Sequence, residues 1–465
     1  MDLHQVPGEL VGVLRGPEAE TLLRQSLEAS GVVLRSWELE QIYARPGAEL
    51  SARYRVRCTA PGVPTVAVGS AGSTDHAELT EPTELTMVAS TVALTPQQRE
   101  SMGAVRADSP HGAVHLWVHP VDPELPGLLV VERAARSAGE EPGARQPPGP
   151  VERAESAELP ESRGLPENTE RPDSTGLEAR LSRLLGQPCR VQDLQMLVLR
   201  PLRRAVYRAT LTSARGQRVL YLKVVRPARA AQLLRRHRCS PLIPASADAG
   251  DGILVLDQAP GLALTHHLHG AVAPADVGPI DPAVLLAALD TLHPKTLQMP
   301  PRVPPTQRPD GLAESAVAAG ADPFRVQRLR ERIGLSLQAA PGPLVPTHGD
   351  FHPANLFLDA TARHPTGLID ADTVGPGFRV DDLATMLGHL LVLPSFDPSG
   401  YAAVPEFTRR FHAHCLDHAD PADLGARTAA VLLSLLPGVP SAAQREHLLS
   451  CAETLAQRAG PADLD

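Results

Sequence analysis

Two hydrophobic patterns follow one another in the second half of this chain, and their order constrains the fold more than any other feature. Strand-like runs come first, at Leu194–Leu199, Ala205–Thr212, Val219–Val225 and Gly252–Leu256. The turn Ala214-Arg215-Gly216-Gln217 joins the second and third as a hairpin, and a short helix, Ala228 to Arg238, comes next. A leading helix is marked by Leu177, Leu181, Leu184 and Leu185 at helical spacing. From Pro260 the period is helical. Leu285, Leu286, Leu289 and Leu292 share one face, and so do Val326, Leu329, Ile333 and Leu337. Segments after Asp382 and from Asp423 to Gln457 continue the pattern, with Asp382 expected to cap its helix and brace the loop before it. A small antiparallel β lobe followed by a helical lobe predicts an α+β, two-lobed fold, with the ligand expected in the cleft between the lobes.

Ahead of the β lobe lies a stretch, Arg136 to Gly176, dominated by Glu, Pro, Gly, Ser and Arg. Between Glu140 and Gly176 it holds nine acidic residues against four arginines. Such a segment cannot bury enough apolar surface to offset its ordering entropy. The expected division is therefore an N-terminal domain at 1–135, a disordered linker at 136–176, a β lobe at 177–258 and a helical lobe at 259–465. The N-terminal domain echoes the β lobe. Arg45-Pro46 … Arg53-Tyr54-Arg55-Val56 matches Arg200-Pro201 … Arg208-Ala209-Thr210-Leu211 at a constant offset, and Thr65–Val68 then matches Val219–Leu222. Where the second copy has Lys223 the first has Gly69. Either this is a duplicated, degenerate lobe or two unrelated hairpins share an arginine bias.

Composition narrows the class. The 465 residues suffice for two or three domains, and 43% hydrophobic content is ordinary for a soluble protein. A net charge of −9 argues against a general nucleic-acid partner. The five cysteines are scattered without zinc spacing, which suggests reduced thiols. No signal-peptide pattern opens the chain, and no apolar run reaches the ~20 residues that span a bilayer. A cytoplasmic protein with no membrane partner is expected.

The chemistry concentrates in His348-Gly349-Asp350-Phe351-His352-Pro353-Ala354-Asn355 and Leu368-Ile369-Asp370-Ala371-Asp372. An acid, an amide five positions on and a second acid after an apolar run form the polar equipment of phosphoryl transfer. Asp350 can orient a hydroxyl, while Asn355 and Asp370 supply the oxygen ligands Mg²⁺ prefers. Gly349 lets the backbone turn and Pro353 stiffens the loop.

Other residues bear on the same chemistry. Lysine occurs only at 223 and 295. Lys223 ends a hairpin strand, like the lysine that pairs nucleotide phosphates in kinase-type lobes. Strand alternation puts Tyr221 on its face, where a ring can stack on a base. Arg200–Arg238 carries twelve basic residues and no acid. This is a solvated arginine-rich face, a positive roof over a triphosphate or a nucleic-acid surface. Leu254-Val255-Leu256-Asp257-Gln258-Ala259-Pro260-Gly261 runs from strand into a break where the lobes join, and backbone groups of Asp257 and Ala259 can pair with an adenine edge. The histidines at 266, 267 and 269 lack the acids or cysteines of a metal site.

These motifs resemble the aminoglycoside phosphotransferase / choline kinase-like family of protein-kinase-like fold, over about residues 180–460. The resemblance implies ATP as donor, Asp350 as catalytic base, and Asn355 and Asp370 as magnesium ligands. It also implies Lys223 on the phosphates, Tyr221 stacked on adenine, and Asp257 and Ala259 as the adenine-binding hinge. The N-terminal domain looks like the cap of some large members. The resemblance departs in one respect: kinase-type lobes pair the lysine with a helical glutamate, and no Glu occurs between Lys223 and Asp257. Gln232 can hydrogen-bond a lysine but cannot form an ion pair. The expected function is ATP- and Mg²⁺-dependent phosphorylation of a small-molecule hydroxyl of aminoglycoside, sugar or amino-alcohol type. The alternative is a nucleotide-binding pseudokinase or regulatory module.

Overall fold

The computed structural model describes residues 8–28, 31–43, 49–59, 83–109, 111–139, 176–270, 278–301, 309–337, 342–439 and 441–457. The chain divides into two compact units, 1–230 with 247–255, and 231–246 with 256–465.

The first unit opens with helices α1 (Gly8–Arg15) and α2 (Glu18–Glu28) and strands β1 (Val33–Tyr43), β2 (Ser51–Thr59) and β3 (Thr83–Ser90). Helix α3 (Pro96–Met102) and strands β4 (Val105–Ser109) and β5 (Gly112–Val118) complete a sheet of order β1-β2-β3-β5-β4. Thr95 caps α3 in a reciprocal box with Gln98, and Gly103 closes it in the left-handed conformation. Alternation along β2 turns Ala52, Tyr54, Val56 and Cys58 onto α1 and α2, where Leu14, Leu22 and Leu23 complete a core.

Helices α4 (Gly127–Gly139) and α5 (Leu177–Leu185) introduce the second sheet. Its strands are β6 (Cys189–Arg200), β7 (Arg204–Ser213), β8 (Gly216–Val225), β9 (Ser246–Asp248) and β10 (Ile253–Asp257), with α6 (Pro227–His237) between β8 and β9. The order is β6-β7-β8-β10-β9. Leu220, Leu222 and Val224 join Tyr207, Ala209 and Leu211 in a core covered by Leu128 and Val131 of α4 and Leu177 and Leu181 of α5. Helix α4 therefore runs across residue 135, the expected domain edge, and its apolar residues lie in the second core. Residues 136–139 of the expected linker are its last turn; 140–175 lie outside the described residues.

The second unit begins with β11 (Leu262–Ala263), α7 (Leu264–Leu268), α8 (Ala283–Asp290), α9 (Pro309–Ala318) and α10 (Pro323–Ser336). Four short strands follow, β12 (Leu344–Thr347), β13 (Leu356–Leu358), β14 (Pro365–Leu368) and β15 (Gly375–Phe378). Helices α11 (Arg379–Val392), α12 (Val404–Cys415), α13 (Pro421–Leu435) and α14 (Ala442–Gln457) end the fold. The helical faces expected at Leu285, Leu286 and Leu289 and at Val326, Leu329 and Ile333 are buried. The expected α+β class stands, with antiparallel strands, a helical region and an additional N-terminal α+β region.

Two expectations need correction. The first-copy strand expected at Thr65–Val68, with Gly69, lies outside the described residues; the strand that pairs with β2 is β3, so the constant offset does not describe the sheet. Asp382 does not cap α11, because the helix starts earlier, after Phe378, and encloses Asp382 in its first turn. The segment expected to be helical from Asp423 to Gln457 is helical, as α13 and α14. Among the described residues no helix is long and apolar enough to cross a membrane.

Candidate active site

The site of the second unit is built on two small ladders. Strand β12 pairs with β15, Thr347 opposite Gly375, and β13 pairs with β14, Leu356 opposite Leu368. The loop His348–Asn355 therefore leaves one ladder and enters the other. The Ile369 N–H donates to the Asn355 carbonyl at 3.0 Å, so Asn355 and Asp370 are brought to neighbouring strand ends.

The loop is fixed from beneath by backbone accounting. Buried Asp382 accepts from the His348 N–H and the Gly349 N–H, each at 2.8 Å. Burial pushes this carboxyl up to about 7, and the two N–H donors work against that rise. Gly349 has φ 77°, and a Cβ there would meet the Thr373 carbonyl oxygen at 3.0 Å and the Thr373 side chain at 3.1 Å. The Thr373 hydroxyl in turn donates to the His348 carbonyl at 2.7 Å. Fully buried His348 is held neutral by desolvation, and its Nε2–H donates to the Ile369 carbonyl at 3.1 Å.

At the far end of the loop the Asn355 Nδ2 donates to the Asp350 carbonyl at 2.9 Å. That bond uses the amide nitrogen and turns the oxygen into the role of donor to a cation. Asp370 holds φ 54°, an uncommon conformation for a non-glycine residue that concentrates at functional sites. One carboxylate and one amide oxygen fit Mg²⁺, which usually takes one or two protein oxygens and fills its octahedron with phosphate and water. Among the described residues no group of three His, Cys, Asp or Glu side chains could hold a metal by itself. His269 instead sits 2.9 Å from Asp397.

Support continues one layer further, in residues the sequence did not single out. Arg427, 1% exposed, donates to Asp381 at 2.6 Å and to Asp423 at 2.8 Å and lies over the Phe378 ring. It thus ties α13 to the first turn of α11, which carries Asp382. His237 of α6 approaches Asp372 at 3.3 Å, and Arg236 donates to the Val374 carbonyl. The stacked pair His352–His389, with ring centroids 4.4 Å apart, is desolvated, and His389 is pushed down to about 3. The signal for Arg427 was available only as an Asp423-x-x-x-Arg427 helical pair.

The remaining expected residues fall as follows. Tyr221 and Lys223 alternate with the core residues Leu220, Leu222 and Val224, so both face away from α4 and α5, and Lys223 is buried. Asp257 ends β10, and its N–H donates to the Ala245 carbonyl at 2.9 Å; Ala259 is buried beyond it. Lys223 and Tyr221 belong to the first unit, while Asp257, Ala259, Asp350, Asn355 and Asp370 belong to the second.

Several solved structures are similar to this chain. Aminoglycoside phosphotransferase APH(4)-Ia, as a thermostable mutant in ternary complex with AMP-PNP and hygromycin B, is 16% identical with a TM-score of 0.41, over 60% of this chain and 98% of that one. A choline/ethanolamine kinase family protein from Mesorhizobium loti is 17% identical with a TM-score of 0.38, over 60% and 94%. Amicoumacin kinase hAmiN, in complex with AMP-PNP, Ca²⁺ and Ami, is 16% identical with a TM-score of 0.39, over 58% and 90%. No match was found among curated proteins. A family model described as the phosphotransferase enzyme family, APH, matches residues 203–403, which hold β8 with its lysine and the whole His348–Asp372 region. Over those residues the chain is similar to the phosphotransferase enzyme family.

Proposed function

We propose that this protein transfers the γ-phosphoryl group of ATP, with Mg²⁺, to a hydroxyl of a small molecule of aminoglycoside, sugar or amino-alcohol type. The observation that carries the reading is the pinned loop: Asp382 under His348 and Gly349, and the Asn355 amide on the Asp350 carbonyl. A loop fixed at both ends presents Asp350 without reorganisation, which is what a step dominated by positioning and charge neutralisation requires. Asp350 accepts or orients the acceptor hydroxyl proton. Asn355 and Asp370 would hold Mg²⁺, which when bound supplies charge neutralisation at the phosphates. Lys223 pairs with the phosphates, Tyr221 stacks on adenine, and the Asp257 carbonyl and Ala259 backbone meet the adenine edge. Neutral His348, donating to the Ile369 carbonyl, ties the Asp350 loop to the segment that carries Asp370.

A nucleotide-binding module without transferase activity is favoured by one observation: α6, which follows the lysine strand, carries no acid. An acceptor-library screen with ATP and Mg²⁺ separates the two readings. Product formed by the wild type and reduced about 1,000-fold or more in Asp350→Asn supports transfer. ATP binding with no Asp350-dependent product supports the module.

A further inference from the structure

The two sheets of the first unit are built to one plan. Each is introduced by two helices and runs strand, strand, strand, helix, strand, strand, with the last two strands exchanged in the sheet. The agreement extends to single residues. The β1–β2 ladder shifts register between Leu34 and Ser36 and between Leu39 and Gln41. The β6–β7 ladder shifts between Val191 and Asp193 and between Met196 and Val198, at the same steps from the turn. Matching the ladders places Ala52 on Ala205 and Tyr54 on Tyr207. Both tyrosines send their hydroxyl into the helical layer, Tyr54 to the Leu14 carbonyl at 2.8 Å and Tyr207 to Glu132 at 2.6 Å. Irregularities of this kind are built-in features of a strand pair, and two in one register are hard to obtain twice by chance.

Carried to the third strand, the match has a chemical consequence. Val88 lies opposite Arg53, and Lys223 lies opposite Val206, so Val88 stands in the place of the lysine and Thr86 in the place of Tyr221. Around Val88 this face of the first sheet is apolar and occupied, while Arg53 and Arg55 beside it pair with Glu40. Val88 and its cross-strand neighbour Trp117 pack on Leu202, the middle residue of the β6–β7 turn of the second sheet. Leu202 is fully buried at φ 63°. Its N–H donates to Asp122 at 2.8 Å, and its carbonyl accepts from Arg226 at 2.9 Å. Three residues back, the Leu199 carbonyl accepts from Tyr43 at 2.6 Å and from Arg53 at 3.2 Å.

We propose that the N-terminal region is a degenerate second copy of the nucleotide lobe whose vacated ligand face grips the β6–β7 turn, making Leu202 and Asp122 positioning residues for nucleotide phosphate. In protein kinases the loop over the phosphates is glycine-rich. Here the corresponding hairpin turn, Arg200-Pro201-Leu202-Arg203, has no glycine and is held from outside instead. This role rests on the ATP-dependent reading above.

The test measures AMP-PNP affinity and amide hydrogen exchange on the full-length chain. Leu202→Gly tolerates the backbone conformation while removing the plug; Asp122→Ala removes the acceptor, and Asp122→Asn restores one. Leu202→Gly and Asp122→Ala should speed exchange at 200–204 and weaken AMP-PNP about tenfold or more, with Asp122→Asn within about twofold of wild type. Leu23→Ala, which loosens the first core away from the turn, should leave affinity within about twofold, separating positioning from general destabilisation. Fast exchange at the turn with unchanged affinity overturns the proposal. So does equal weakening by Leu23→Ala. Lys223→Ala reports on the underlying reading: a wild type that binds no AMP-PNP ends both, whereas binding that depends on Lys223 and ignores Leu202 ends only this inference.

Discussion

Two loops in this molecule are held in the same way, and they differ in where the holder comes from. The loop at 348–355 rests on Asp382, which accepts two consecutive backbone N–H groups and belongs to the helix that follows in the same unit. The turn at 200–203 rests on Asp122, which accepts the Leu202 N–H and belongs to the segment between the two sheets. Both carboxyls are buried and raised by that burial, Asp382 to about 7 and Asp122 to about 6. The left-handed residue is glycine in one loop and leucine in the other, with φ 77° and 63°. A glycine makes the conformation inexpensive and lets the loop stand on local contacts. A leucine makes it costly, so the conformation persists only while the surrounding packing imposes it. The first loop is thus intrinsic to its unit, and the second depends on residues far away in the chain.

The comparison breaks most sharply on removal of the acceptors. Asp382→Ala orphans two buried N–H groups and should destabilise the second unit by about 3–5 kcal/mol, with Asp122→Ala costing the first about 1–3 kcal/mol. Exchange protection read unit by unit separates the two losses, and equal losses would mean the two holders do the same work.

The pH dependence follows from the raised carboxyls. Each folded-state pKa lies above its unfolded value, so each contribution to stability is full below about pH 4 and is lost as pH rises through the folded value. At ~1.4 kcal/mol per unit, Asp382 loses about 4 kcal/mol by pH 7 and Asp122 about 3 kcal/mol by pH 6. Urea titrations between pH 4 and 8 should show the first unit levelling off earlier. Asp382→Asn should flatten only the second unit's profile, and a slope that survives it would assign the effect elsewhere.

An effect as small as that of Asp122→Ala is expected at the glycine. Gly349→Ala meets Thr373 and a positive φ, costing about 1–3 kcal/mol. Loss of activity beyond the loss of fold would show that Asp350 has moved.

What the sequence disclosed follows from the range over which each feature acts. The strands of the second sheet, the helical faces at Leu285–Leu289 and Val326–Ile333, and the residues of the 348–372 region were legible, because alternation, helical period and motif spacing are local. Three features were not. For Asp382 the bracing of the loop was legible, but the helix start at Arg379, which takes it out of the cap position, was not. Arg427 reads as a surface charge until α13 is buried against α11. Leu202 reads as a turn residue between Pro201 and Arg203, and nothing near it announces that Val88 and Trp117 will cover it. The echo between the two lobes was visible in Tyr54 and its neighbours, but its constant offset failed because the loops ahead of β2 and β7 differ in length.

The helices on either side of residues 140–175 share one core, α4 through Leu128 and Val131 and α5 through Leu177 and Leu181. A segment whose two ends are fastened to the same core is a closed loop in the topological sense, however long its contour. Severing it would give two polypeptides held together through that core, with α4 on one and the lysine strand on the other.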